Sequence, residues 1–179
     1  MRRILPLLLT LVLLLPSCAG QNSPPPTAEA VLSAMATTMT RTAQPLPDGL
    51  LYSRAVAANA PQYLTETFFT ALYGRAAEGL LGAPDAQGAA PPVGDAAMLL
   101  SVAPYPCELA VFRCSDVRTA AAVASLCRGR LDTVAGGYAR GEWAEVAGRG
   151  AVTVEGCFVL MAMAEDPAAV LRRAVRMVK

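Results

Sequence analysis

The sequence predicts an α+β fold: an antiparallel sheet from two strand–strand–helix units, with N-terminal helices packed on it. Three observations carry this expectation. Residues 107–130, CELAVFRCSDVRTAAAVASLCRGR, have the pattern of a strand that stops at Asp116 and turns into a helix. Residues 157–179, CFVLMAMAEDPAAVLRRAVRMVK, repeat the pattern 50 positions later (157 − 107), with eight residues between Cys and Asp in each copy. A further strand candidate precedes each copy, at 96–103 and at 151–155.

The chain opens with a basic Met1-Arg2-Arg3 and a mostly leucine run over 4–15, too short to span a bilayer comfortably. Leu15-Pro16-Ser17-Cys18 then has the form of a lipobox. The expectation is a signal peptide over 1–17, cut before Cys18, which takes a diacylglycerol thioether. A lipid anchor with several chains holds a protein at a membrane where one chain binds only marginally. Residues 18–26, ending in Pro24-Pro25-Pro26, then form an extended tether, and 27–179 form one domain. The protein is expected on the outer face of the cytoplasmic membrane.

Within the domain, Thr27 is a helix cap, and Ala28, Val31, Leu32, Met35 and Met39 follow at helical spacing. The methionines are expected in the core, as adaptable filler. The turn residues of 44–49 end that helix, and 50–54 is a weak strand candidate. Pro61 suits the first position of a second helix with the stripe Leu64, Phe68, Leu72 and a stop at Gly74. The Gly/Ala/Pro-rich stretch 74–94 is expected to be a loop, with a helical turn near 77–81. After the strand at 96–103, Pro104-Tyr105-Pro106 turns the chain into the strand at 107–114. Asp116 caps a long helix with Ala120, Val123, Cys127, Leu131, Val134 and Tyr138 on one face, weakened at Gly136-Gly137. A connector over 140–150 carries the only tryptophan, Trp143. The strand from Phe158 to Ala164 has no polar residue, which predicts a central strand covered on both faces. Asp166 and Pro167 open a last helix whose Arg172, Arg173, Arg176 and Lys179 lie outside, toward the negative helix end.

Composition narrows the chemistry. The chain has 179 residues, 54% hydrophobic and 16% charged, enough for one domain with a core. Its formal charge of +1 becomes −1 without Arg2 and Arg3 (13 basic against 14 acidic), so no nucleic-acid partner is indicated. There is no histidine, the commonest general base and metal ligand. No C-x-x-C, Gly-x-Ser-x-Gly or phosphate-cradling Gly loop occurs. No metal or other cofactor and no catalytic residue is therefore assigned.

A few residues stay in play as binding candidates. Beyond Cys18 there are four cysteines, Cys107, Cys114, Cys127 and Cys157. Cys107 and Cys157 hold matching places in the two hairpins, so a disulfide between them is a candidate outside the cell. The simpler alternative is four small buried hydrophobes. Asp116 and Asp166 are most simply helix caps. Glu108 and Glu155 would need to converge to do acid–base work; solvent-facing strand ends are the plainer alternative. Tyr105, Tyr138 and Trp143 lie near turns and are candidates to line a binding groove. The basic C-terminal helix offers cations to anionic headgroups or wall polymers, although a solvated face also explains it. Two readings of function follow. One is a lipid-anchored, non-catalytic module binding an envelope protein or wall component. The other is an envelope hydrolase or thiol-dependent enzyme using the carboxylates or cysteines.

The order of features resembles the bacterial family called domain of unknown function 4358, small lipoproteins largely of Gram-positive anaerobes. The matching parts are the lipobox leader, Leu72-Tyr73-Gly74, the strand Glu108-Leu-Ala-Val-Phe112, the Tyr138 segment, and Cys157-Phe-Val-Leu160 leading to Glu165-Asp166 and a final helix. The loop over 83–93 departs from that pattern by its Gly, Ala and Pro content. The resemblance implies a membrane-anchored outer location, and no activity or catalytic residue.

Overall fold

Residues Phe158–Met163 (β5) are buried at all six positions, so both faces of this strand must be covered. The computed structural model, which describes residues 24–82, 88, 90–102 and 104–179, places β5 inside a five-stranded antiparallel sheet. The leader, Cys18 and the tether up to Ser23 lie outside the described residues, as do 83–87 and Ala89 of the long loop. The strands are β1 (Leu51–Ser53), β2 (Val93–Leu100), β3 (Glu108–Cys114), β4 (Ala151–Glu155) and β5, in the spatial order β1-β2-β3-β5-β4. β3 and β5 pair from Glu108↔Met163 to Arg113↔Phe158. The β4–β5 hairpin closes through Gly156 at φ +55°, a left-handed conformation that glycine adopts without steric cost.

Alternation along the strands sends side chains to two separate cores. On one face Leu109, Val111, Leu160 and Ala162 meet helix α1 (Ala28–Arg41) and helix α5 (Pro167–Val178). On the other, Ala110, Phe112, Val159 and Met161 meet helices α2 (Glu66–Tyr73) and α3 (Val117–Tyr138). The fold is thus α+β in three layers. Each face takes one N-terminal helix and one helix from a strand–strand–helix unit. Full burial of a Leu, Phe or Met side chain contributes about 1.5–3 kcal/mol, so these two layers supply most of the driving force.

Long-range capping fixes α1 in place. Its first N–H, that of Ala28, donates to the Asp95 carboxylate of β2 at 2.7 Å, and Asp95 is only 8% exposed. The Ser53 hydroxyl of β1 donates to Glu29 at 3.2 Å. Past the other end of α1, the side-chain carbonyl of Gln44 accepts the Asp166 N–H that opens α5, at 2.8 Å. The end of α1 therefore meets the start of α5, and the two helices run antiparallel. The turn after α1 lies hard against β2: a Cβ on Gly49 would sit 1.8 Å from the Leu100 carbonyl oxygen, so no side chain fits there.

Several boundaries differ from expectation. α2 begins after Thr65, whose hydroxyl oxygen accepts from the Phe68 N–H at 3.1 Å, not at Pro61. Its buried positions are consequently Phe69 and Tyr73 rather than Phe68 and Leu72. β2 starts at Val93 and ends at Leu100, because Asp95 is taken up by α1 instead of facing water. The turn near 77–81 is a short 3₁₀ turn at Arg75–Ala77, and Ala77 and Leu81 are buried anchors of the loop. The connector holds a short helix α4 (Ala144–Gly148), and α3 runs through Gly136-Gly137 to Tyr138.

Candidate binding cleft and basic groove

At the end of the sheet where β3 begins, the chain assembles a cleft of about 290 Å³ between the 101–108 segment and α3. Tyr105 and Tyr138 both line it. Trp143 supports the rim from behind, edge-on to Tyr105 with ring centroids 4.9 Å apart at 84°. Three of the aromatic candidates thus come together. The Tyr105 hydroxyl is buried without a hydrogen-bond partner among the described residues, and burial pushes its pKa up to about 12.

The floor is an ion pair. Arg130 of α3 donates through Nε to Glu108 at 3.1 Å and through Nη2 to the second carboxylate oxygen, a two-pronged contact. Glu108 is 7% exposed, so its carboxylate is committed to this partner. Sequence alone does not single out Arg130, because its spacing from Glu108 (22 positions) spans a strand, a turn and just under four helical turns. The only available signal was a lone cation on the inner side of α3.

Glu155 does not join this cleft. It pairs with Phe158 at the far end of β5, while Glu108 pairs with Met163 at the near end, and Glu155 bridges Lys179 at 3.9 Å. Glu108 and Glu155 therefore do not converge, as acid–base work would require. Antiparallel β3 and β5 place equivalent positions of the two units at opposite ends.

The same inversion corrects the disulfide candidate. Cys107 sits at the cleft end, and Cys157 lies opposite Cys114, whose N–H donates to the Cys157 carbonyl at 2.8 Å. All four described cysteines are free thiols, three of them buried. Burial pushes the Cys107 and Cys114 thiols up to about 12 and that of Cys127 higher still. Protonated thiols are poor nucleophiles at neutral pH. Cys127 lies beside the buried Tyr73 hydroxyl, whose pKa is also raised, by desolvation first.

Asp116 and Asp166 are the helix caps expected of them. Asp116 accepts the Thr119 N–H at 2.8 Å, and this bond, followed by the Ser115 and Thr119 hydroxyls, holds its carboxyl below the usual range. Asp166 accepts the Ala169 N–H at 2.9 Å. On the opposite face of the sheet, a groove between α1 and α5 gathers Arg41, Arg172, Arg173 and Arg176. Comparisons with family models, with characterised proteins and with solved structures return no match.

Proposed function

We propose that the chain is a lipid-anchored extracytoplasmic protein that acts as a non-catalytic binding module of the cell envelope, in keeping with its resemblance to domain of unknown function 4358. The observation that carries the reading is the make-up of the cleft. Its walls offer aromatic faces from Tyr105 and Tyr138, while its carboxylate is held by Arg130 and its thiol, Cys107, is kept protonated. Such a cleft is suited to recognising a partner group by stacking and shape. The alternative, a hydrolase or thiol-dependent enzyme, draws no support from Glu108 and Glu155, which stand at opposite ends of β5.

Two measurements test this. Cys18→Ala should shift the protein from the membrane fraction to the soluble fraction of the cells and abolish labelling by an acyl probe. Retention in the membrane by the same fraction would remove the anchor. Crosslinking in intact cells should give discrete adducts, and Tyr138→Ala should reduce them at least about tenfold, in the range of a binding hot spot. Adducts unchanged in a folded Tyr138→Ala protein would show that the cleft is not the recognition surface.

A further inference from the structure

The groove between α1 and α5 has a volume of about 650 Å³, and its cations come from both helices. Arg41 stands on α1, and Arg172, Arg173 and Arg176 stand on α5. All four are exposed, none takes part in any of the four salt bridges among the described residues, and no carboxylate lines the groove. Three of its four hydroxyls are already engaged: Thr37, Thr38 and Thr42 donate to the Ser33, Ala34 and Thr38 carbonyls at 2.8, 2.9 and 2.9 Å. What the groove offers a ligand is therefore positive charge. The helix dipole accounts for Arg176 in the last turn of α5. It does not account for Arg172 and Arg173 in mid-helix, nor for Arg41 approaching them from α1. Four like charges around one groove repel, and an anion relieves that repulsion.

Two further features specify the anion. Across α5 lies a second trough, of about 570 Å³, lined by Ala151, Leu171 and Val175 and sharing Arg172 and Arg176 with the groove. These two arginines form a ridge between a cationic groove and an apolar trough, the pairing that suits a phosphate headgroup next to acyl chain. The second feature is position. α1 begins ten positions after Cys18 (28 − 18), a reach of at most about 35 Å for an extended chain. The start of α1 also lies at the sheet end that holds the last turn of α5. Ala28 is fixed to Asp95 near the start of β2, and Lys179 bridges Glu155 at the β4–β5 turn.

We infer that the α1–α5 face is a docking surface for anionic phospholipid, with headgroup phosphates seated along Arg172, Arg173 and Arg176 and Arg41 closing the groove from the other side. The inference deepens the lipid-anchored reading, on which its geometry rests. Docking would lay the domain on the bilayer with α5 down and leave the Tyr105–Tyr138 cleft, at the sheet end where β3 begins, open to a partner.

The test uses the full chain carrying Cys18→Ser, so that no acyl anchor contributes, and co-sedimentation with vesicles of phosphatidylglycerol mixed into phosphatidylcholine or of phosphatidylcholine alone. Binding should depend on phosphatidylglycerol and fall about a hundredfold in R172Q/R173Q/R176Q, since each cation near an anionic surface contributes about a factor of five. R118Q/R128Q/R140Q removes the same charge from exposed positions elsewhere and should stay within about threefold of the parent. The leader is common to all variants and cancels. Equal losses in the two triple variants, or binding indifferent to phosphatidylglycerol, would overturn the proposal. So would Arg172-dependent binding of soluble polyphosphate without vesicle binding, which would assign the groove to a wall polymer. Because the purified protein lacks the acyl group, failure here leaves the Cys18 experiment standing, and the reverse also holds.

Discussion

Phe112→Ala is expected to lower folding stability by about 3–5 kcal/mol, the range for emptying a buried aromatic site. Phe112 is fully buried at the centre of β3, between Ala96 on β2 and Val159 on β5. Its ring lies 5.5 Å from that of Phe69 and 5.8 Å from that of Tyr73, the latter edge-on at 86°. Both partners belong to α2, a helix of eight residues that would not persist alone in water. Emptying the site thus removes the transfer energy of the ring and the surface against which α2 folds. Neighbouring strands are braced on both sides and cannot collapse into the void. Against a total of about 5–15 kcal/mol for a domain of this size, the loss is a large share. A thermal melt should show a midpoint lower by about 10 °C or more. Phe112→Leu, which keeps most of the volume, should cost less than about 1.5 kcal/mol. A loss below about 1 kcal/mol for Phe112→Ala would mean that α2 does not pack on this face.

How far the sequence disclosed this architecture depended on the distance over which each signal acted. Periodicity located α1 down to its buried positions, because Ala28, Val31, Leu32, Met35 and Met39 need only one flat apolar surface to face. The unbroken apolar run of β5 announced a strand with two covered faces for the same reason. Helix caps were legible at Asp116 and Asp166, since each side chain bonds an N–H three residues ahead. The failures all involve partners far along the chain. Asp95 falls outside the strand expected at 96–103 because the N–H it accepts belongs to Ala28, 67 positions earlier. The start of α2 was misplaced because Pro61 and Thr65 are both acceptable first-turn signals, and only packing of Phe69 on Phe112 chooses between them. Spacing alone made Cys107 and Cys157 look like neighbours. An antiparallel pairing sets equivalent positions at opposite ends, and spacing within the two units does not tell which of their strands will adjoin. The cleft was half visible: its aromatic walls stand at turns, whereas its cation lies inside a helix otherwise assigned to the core.

That cation is the subject of the second large effect. Arg130→Ala is expected to lower stability by about 3 kcal/mol, because the Glu108 carboxylate is left unpaired. The carboxylate cannot turn to water, since its side chain is only 9% exposed and it stands at a register position between Leu100 and Met163. The value sits at the low end of the usual range because the Arg130 side chain is 22% exposed, so the cleft admits some solvent. Arg130→Lys keeps the charge without the planar fork and should lie between the two, at about 1–2 kcal/mol. Replacing both residues together, Glu108→Met with Arg130→Met, removes the desolvated charges as well as their attraction and should come within about 1 kcal/mol of the parent. Urea melts of the parent, Glu108→Met, Arg130→Met and the double variant form a double-mutant cycle, and the expected coupling is about 2 kcal/mol or more. A double variant as unstable as the sum of the single ones would show that the two side chains do not depend on each other. The same cycle, repeated with adduct formation as the readout, separates two roles. If the ion pair only braces the cleft, the stable Met–Met protein keeps its partner; if Arg130 itself touches the partner, binding is lost while the fold survives.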